Sequence, residues 1–191
     1  KPPFLLVHDD GNNQDTLQAR INGYLQLNGN KYPAQAIHRI DYETSGLVLF
    51  CKHPFFQAYC DKNMEEHHIK KEYIALVQGH TNYKNKKIIS NIARDRHNAK
   101  KMIIHPNGKE SISIFNTIKN YKDCSLIQIT ILTGRKHQIR VQCASLNHPI
   151  LNDSLYGGKR IDNTGLLLQS HHIQFNDIDI TCPQEKRFIR K

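Results

Sequence analysis

An α+β fold, with a mixed and mainly antiparallel central sheet flanked by helices and loops, is what this 191-residue chain predicts. Three observations lead there. Apolar and β-branched runs of strand length outnumber helical periods, and the two kinds do not alternate regularly. Near the C-terminus, Ile173/Phe175 and Ile178/Ile180 face each other across Asn176-Asp177 in the manner of a hairpin.

Taken in order, Leu17, Ile21, Tyr24 and Leu25 recur at helical spacing, with Asp15 placed to cap them. Leu47 to Phe50 follows Gly46 as a short apolar run of the buried-strand kind. Phe56, Cys60 and Met64, just after Pro54, predict a second helix. Tyr73 to Val77, closed by Gly79, reads as a strand, as does the segment holding Ile112, Ile114 and Thr117-Ile118, which opens in strict alternation. Leu126 to Leu132 is a further β-branched run. Thr133-Gly134-Arg135 turns the chain into a helix marked by Ile139, Cys143 and Leu146, and Leu166 to Leu168 is a last short strand before the hairpin.

No linker, repeat or low-complexity tract divides the chain, so residues 1–191 are read as one domain. It opens on Lys1-Pro2-Pro3-Phe4, without Met or a secretory pattern, and a fragment whose natural start lies upstream is expected. With 38% hydrophobic residues and no run of bilayer length, a soluble, cytoplasmic, monomeric protein with no membrane partner is expected. Lys plus Arg exceed Asp plus Glu by 27 to 17, a formal charge of +10 that favours a polyanion such as nucleic acid. The 5 cysteines form no Cys-x-x-Cys pair, and the adjacent pairs His67-His68 and His171-His172 lack metal-ligand spacing. Neither a metal nor a cofactor is expected.

Two segments carry chemistry. In His38-Arg39-Ile40-Asp41-Tyr42-Glu43-Thr44-Ser45-Gly46, an Asp beside a cation precedes a Thr-Ser-Gly turn that can hold it at a loop tip. Alone, such an Asp is more often a turn or cap residue. In Thr133-Gly134-Arg135-Lys136-His137-Gln138-Ile139-Arg140-Val141, three cations and a His gather where a strand gives way to a helix, a place suited to phosphate. Alone, that segment is more often a solvated helix end.

Together the two segments resemble the RluA family of RNA pseudouridine synthases. "HRIDYETSGLVLF" is similar to its catalytic loop, "KKEYIALVQG" to its Lys-x-Tyr-x-Ala strand, and "TGRKHQIRVQCASLNHPILNDSLYGG" to its long third motif. "KPPFLLVH" resembles the start of its catalytic domain and "GLLLQSHHIQF" its C-terminal strand. Phe4 and Asn152 stand where Gly is common and Gln142 where His is common, departures expected to bear on RNA contact rather than on the reaction.

The resemblance implies a pseudouridine synthase fold and isomerisation of specific uridines in ribosomal or transfer RNA, with base flipping. Asp41 would be the nucleophile, Arg140 its ion-pair partner and Tyr73 the active-site Tyr, stacking on uracil and assisting proton removal. Arg39 would help open the RNA, with His38 and Thr44 in the same loop. Arg135, Lys136, His137 and Gln138 would contact RNA, and Leu168 would line the uracil pocket. Further grip is expected from Lys84, Lys86, Lys87, Arg94, Arg96, Lys100 and Lys101, and from Lys186, Arg187, Arg190 and Lys191. Two other readings stand beside this one. A retaining glycosidase would also use an Asp nucleophile, though only Glu43 is near in sequence. An RNA-binding module without catalysis is the other.

Overall fold

The computed structural model describes residues 1–11 and 15–190, so Lys191 lies outside the described residues. In chain order the elements are α1 (Leu17–Leu27), β1 (Gln35–Ala36), β2 (Ser45–Gly46), β3 (Phe50–Cys51), α2 (Gln57–Glu65), β4 (Lys70–Gln78), β5 (Lys86–Arg94), β6 (Met102–Ile104), β7 (Lys109–Asn120), β8 (Cys124–Ile131), α3 (Gln138–Ser145), β9 (Leu168–Phe175) and β10 (Ile178–Thr181). Seven strands pair antiparallel in the order β10-β9-β4-β8-β7-β5-β6, and β2 adds to β9 in parallel. The sheet is therefore mixed and mainly antiparallel, as expected.

β4 lies at the centre of this sheet and is apolar on both faces. Tyr73, Ala75 and Val77 enter one core with Phe115, Ile127 and Ile129, while Ile74 and Leu76 enter another with Leu126, Leu167 and Phe188. A strand covered on both sides reads as a continuous apolar run, which is why Tyr73 to Val77 shows no alternation. The Asn176-Asp177 hairpin forms with Ile178 opposite Phe175, and Asn176 takes the left-handed conformation such a turn requires (φ 50°).

Three local expectations are corrected. The cap of α1 is Thr16, whose Oγ1 accepts from Ala19 N–H at 3.1 Å; Asp15 instead accepts two 2.7 Å bonds from Arg20. Leu47 to Phe50 is not one strand, because Leu47 N–H bonds Ser170 O in one sheet while Leu49 O accepts from Ile37 in another. In β7 the buried face is Ser111, Ser113 and Phe115, not the isoleucines. The reason is α3, which turns Gln138 and Gln142 onto those serines. Ser113 Oγ donates to Gln142 Oε1 and accepts from Gln138 Nε2, both at 2.8 Å, and Gln142 Nε2 donates to Ser90 Oγ and Ser111 O. This satisfied buried network fixes the helix that carries Arg140.

The three departures from the family pattern differ in their surroundings. Phe4 (φ 60°) and Asn152 (φ 68°) occupy left-handed positions, where Gly is the default, and Gln142 is fully buried in the network just described. Phe4 stays 45% exposed and packs edge-on against Tyr42, the neighbour of Asp41, whereas Asn152 and Gln142 are buried. Among the described residues no helix is long and apolar enough to cross a membrane, and no cluster of three or more metal-ligating side chains occurs.

Candidate active site

The loop carrying Asp41 is tied down from both sides. Thr44 N–H donates to Asp41 O at 3.1 Å, closing a turn, and Ser45-Gly46 then pair with Gln169-Ser170 of β9. Gly46 is required there: its φ is 107°, and a Cβ would lie 2.1 Å from Ser170 O. From the other side the Lys1 ammonium donates to the carbonyls of Tyr42, Leu5 and Pro2 at 2.8–3.0 Å. Burial lowers that ammonium to about 8 even though Asp41 lies near.

Arg140 reaches Asp41 from α3. Its Nη1 lies 3.5 Å from Asp41 Oδ2, and its Nε and Nη2 each donate at 2.8 Å to Asp153. The Asp153 side chain is wholly buried, whereas Asp41 keeps 24% of its side chain exposed. Burial opposes the Arg140 charge, but the Asp153 bonds and the field of Asp41 outweigh it, holding the guanidinium firmly protonated. The geometry makes Arg140 a bridge, anchored on a buried carboxylate and presenting one edge to a partly open one.

His137 sits on the other side of Asp41, with Nε2 4.0 Å from Oδ2. Its left-handed backbone (φ 55°) starts α3, and its Nδ1 lies 2.8 Å from Tyr156 Oη, which also accepts from Met102 N–H at 2.8 Å. Burial lowers His137 to about 4, more than Asp41 raises it, so the ring is neutral near pH 7. Tyr156 also stacks beneath Arg140, the guanidinium carbon 5.0 Å from the ring centroid.

A cavity of about 190 Å³ opens at Asp41. Thr44, Tyr73 and Leu168 line it together with Arg39, and Arg135, Lys136, His137, Gln138 and Arg140 close the other wall. Tyr73 is buried, and burial, followed by the nearby Asp41, pushes its phenol well up, so it is neutral. Of the residues expected in the site, only His38 stays out of this cavity. Its Nε2 accepts from Leu49 N–H at 3.1 Å, and burial and the Lys71 charge lower it to about 4. His38 thus braces the loop from outside this cavity. Gln138 lines the cavity but is spent internally: its oxygen accepts from Thr133 Oγ1 and Arg135 N–H, and its amide donates to Ile112 O and Ser113 Oγ. It shapes the Arg135–His137 loop and has no free group for RNA. Arg135 and Lys136 are exposed.

Asp153, Tyr156 and Lys1 complete the site without any mark in the residue pattern. All three lie within the quoted segments, Asp153 and Tyr156 in the third motif and Lys1 in the opening one, yet no spacing distinguishes a buried Asp as the anchor of a distant Arg.

Comparisons with known proteins identify the family. A family model described as RNA pseudouridylate synthase matches residues 1–145. A Bacillus subtilis protein named "Uncharacterized RNA pseudouridine synthase YhcT" is 36% identical over 161 residues, covering 83% of this chain and 53% of that protein. The "Ribosomal large subunit pseudouridine synthase C" of Buchnera aphidicola is 40% identical over 168 residues, covering 80% and 53%. The chain thus spans about half the length of these two curated relatives. The solved structure titled "Human RNA Pseudouridylate Synthase Domain Containing 4" superposes with a TM-score of 0.79 over 98% of this chain and 85% of that one, at 18% identity, a likeness of fold. The chain belongs to the RNA pseudouridylate synthase family, of the RluA type.

Proposed function

We propose that this protein isomerises uridine in RNA to pseudouridine, with Asp41 as the nucleophile. The observation that carries the proposal is one constellation: a half-buried carboxylate, backed by a guanidinium, at the wall of a cavity bounded by Tyr73 and Leu168. The reaction breaks the bond from uracil N1 to the ribose anomeric carbon, turns the base, and joins that carbon to uracil C5, whose proton is lost to nitrogen. Atoms and electrons balance without a redox partner. Asp41 would hold the anomeric carbon or assist departure of uracil; either role needs a carboxylate held in place, and Arg140 lies 3.5 Å from it. Tyr73 offers a ring for the turned base, and Leu168 an apolar floor.

A uridine in a folded RNA must leave its stack to reach Asp41, and the exposed Arg39 at the cavity edge suits that opening. A neighbouring cleft lined by Arg94, Lys109, Arg135 and Lys136 continues the basic surface away from the site, as a phosphate backbone would need. The name of the Buchnera relative supports ribosomal RNA as the substrate class, with transfer RNA as the other member of the proposal. The same reading has the protein act as a cytoplasmic monomer; its five free cysteines suit a reducing compartment.

Pseudouridine maps of total RNA from cells with and without the gene, followed by the purified protein on the transcript so found, test the proposal. Pseudouridine at a defined site, with no free uracil, supports it. Release of free uracil would mark a hydrolase instead.

A further inference from the structure

A second cavity, of about 470 Å³, adjoins the Asp41 cavity and shares Arg39, Tyr73 and Arg135 with it, while adding His38, Met64 and Lys71. Lys71 is the unusual member. It stands on β4 two residues before Tyr73, so both side chains leave the same face of the strand, about 6.8 Å apart. Only 6% of it is exposed, and among the described residues its ammonium finds only the Met64 thioether, at 2.9 Å. No carboxylate pairs with it among the described residues. A lysine is almost never this buried without an anion, and a thioether is a weak acceptor.

The rest of the wall has the same sign. Arg39 and Arg135 are cationic, and Glu65 is the single carboxylate, exposed at the rim beside His67. Burial alone lowers Lys71 to about 8, so it is still charged near neutrality. An anion entering this cavity would meet one desolvated ammonium and two guanidinium groups.

We propose that this cavity is a phosphate subsite, in which Lys71, Arg39 and Arg135 hold the phosphodiester next to the target uridine. The inference rests on the RNA reading of the Asp41 cavity. A polynucleotide that places one sugar at Asp41 must carry its next phosphate to an adjoining position, and the Lys71 cavity is one strand step away. The neutral Tyr73 stands between the two and separates base from backbone.

The test uses the chain as it stands, with oligouridylate as the probe, and follows the Lys71 ammonium by NMR with the ε carbon labelled. The groups facing Lys71 are His38, Arg39, Glu65, His67, Tyr73 and Arg135. Saturating oligouridylate should raise the Lys71 pKa above its starting value of about 8. In parallel, Lys71→Met should bind oligouridylate about tenfold more weakly at pH 7, with the salt slope lower by roughly 0.7. Parent affinity should fall as pH climbs from 7 to 9 and Lys71 loses its proton, and the variant should lack that step. An ammonium unmoved by RNA, or equal affinity and slope in parent and variant, would overturn the proposal. If Lys71→Met does not fold, the titration of the parent decides alone. Inorganic phosphate shifting Lys71 as far as RNA does at equal phosphate concentration would overturn the RNA assignment in favour of a free-phosphate pocket. A pseudouridine assay on the same samples keeps the two readings apart: a shifted Lys71 without product would refute the activity and leave the subsite standing.

Discussion

Arg140 gives Asp153 two hydrogen bonds of 2.8 Å and meets Asp41 only at 3.5 Å, so the shorter and more buried of its two ion pairs is the one that no catalytic role requires. The pairing expected from the sequence is present, but as the longer of the two. Removing the guanidinium strands the wholly buried Asp153 first. Arg140→Leu is therefore expected to cost about 3–5 kcal/mol of unfolding free energy. Adding Asp153→Leu should recover most of that loss, and adding Asp41→Asn should recover little, since Asp41 can turn to solvent. Urea unfolding of the single and double variants measures both couplings. Equal recovery from the two partners would show that Asp153 is not the anchor.

Acid should loosen the fold before its carboxylates titrate. His38 and His137 are both lowered to about 4 by burial, against an ordinary value of 6.5. Between these limits the unfolded chain takes up protons that the folded chain refuses, so stability rises with pH through this window and is lost as pH falls from about 6.5 toward 4. The loss is of order 3 kcal/mol at most for each ring. His38→Gln should flatten the dependence of unfolding free energy on pH by about one proton across that range. An unchanged slope would mean that His38 titrates normally in the folded state.

The basic stretch from Lys84 to Lys101 does not lie in one patch. Met102 N–H bonds Tyr156 Oη, and Lys101 lies 5.6 Å over the Tyr156 ring, so this end borders the active site. Lys86 and Lys87 begin β5, roughly 27 Å further along the strand. Lys100→Ala with Lys101→Ala should weaken a short RNA bound at the site and lower the salt slope by about 0.7 for each phosphate no longer neutralised. Lys86→Ala with Lys87→Ala should matter only for longer RNA. Affinity against salt for a short and a long RNA separates the two ends, and equal weakening on the short one would contradict this division.

Legibility in the sequence followed burial pattern. Strand β4 could be read because a core on both faces demands an unbroken apolar run, and the 176–177 hairpin because left-handed turns favour Asn. β7 was legible as a strand but not in its inward face, because those residues are serines matched to the glutamines of α3, and a hydrogen-bonded core has no apolar period. Asp41, Tyr73 and Arg140 were reachable only through the resemblance, since an Asp in a polar loop and a Tyr in a strand are ordinary. Asp153 and Lys71 stayed hidden for a common reason. What distinguishes each is burial beside a distant charge, or the lack of one, and such a property belongs to the fold, not to spacing along the chain.

The central claim is that Asp41 performs the chemistry and not the folding. It lies in a loop held by Lys1, Gly46 and Leu166 through their bonds to backbone groups, with its own side chain 24% exposed. Asp41→Asn keeps the size and removes the anion, so the thermal transition should stay within about 1 kcal/mol of the parent. Isomerisation should fall on the order of a thousandfold or more. The measurement is single-turnover formation of pseudouridine by parent and Asp41→Asn on the same RNA, with thermal unfolding of both. A folded variant without product is the predicted result, and a folded variant that still converts uridine at the parent rate would contradict the account.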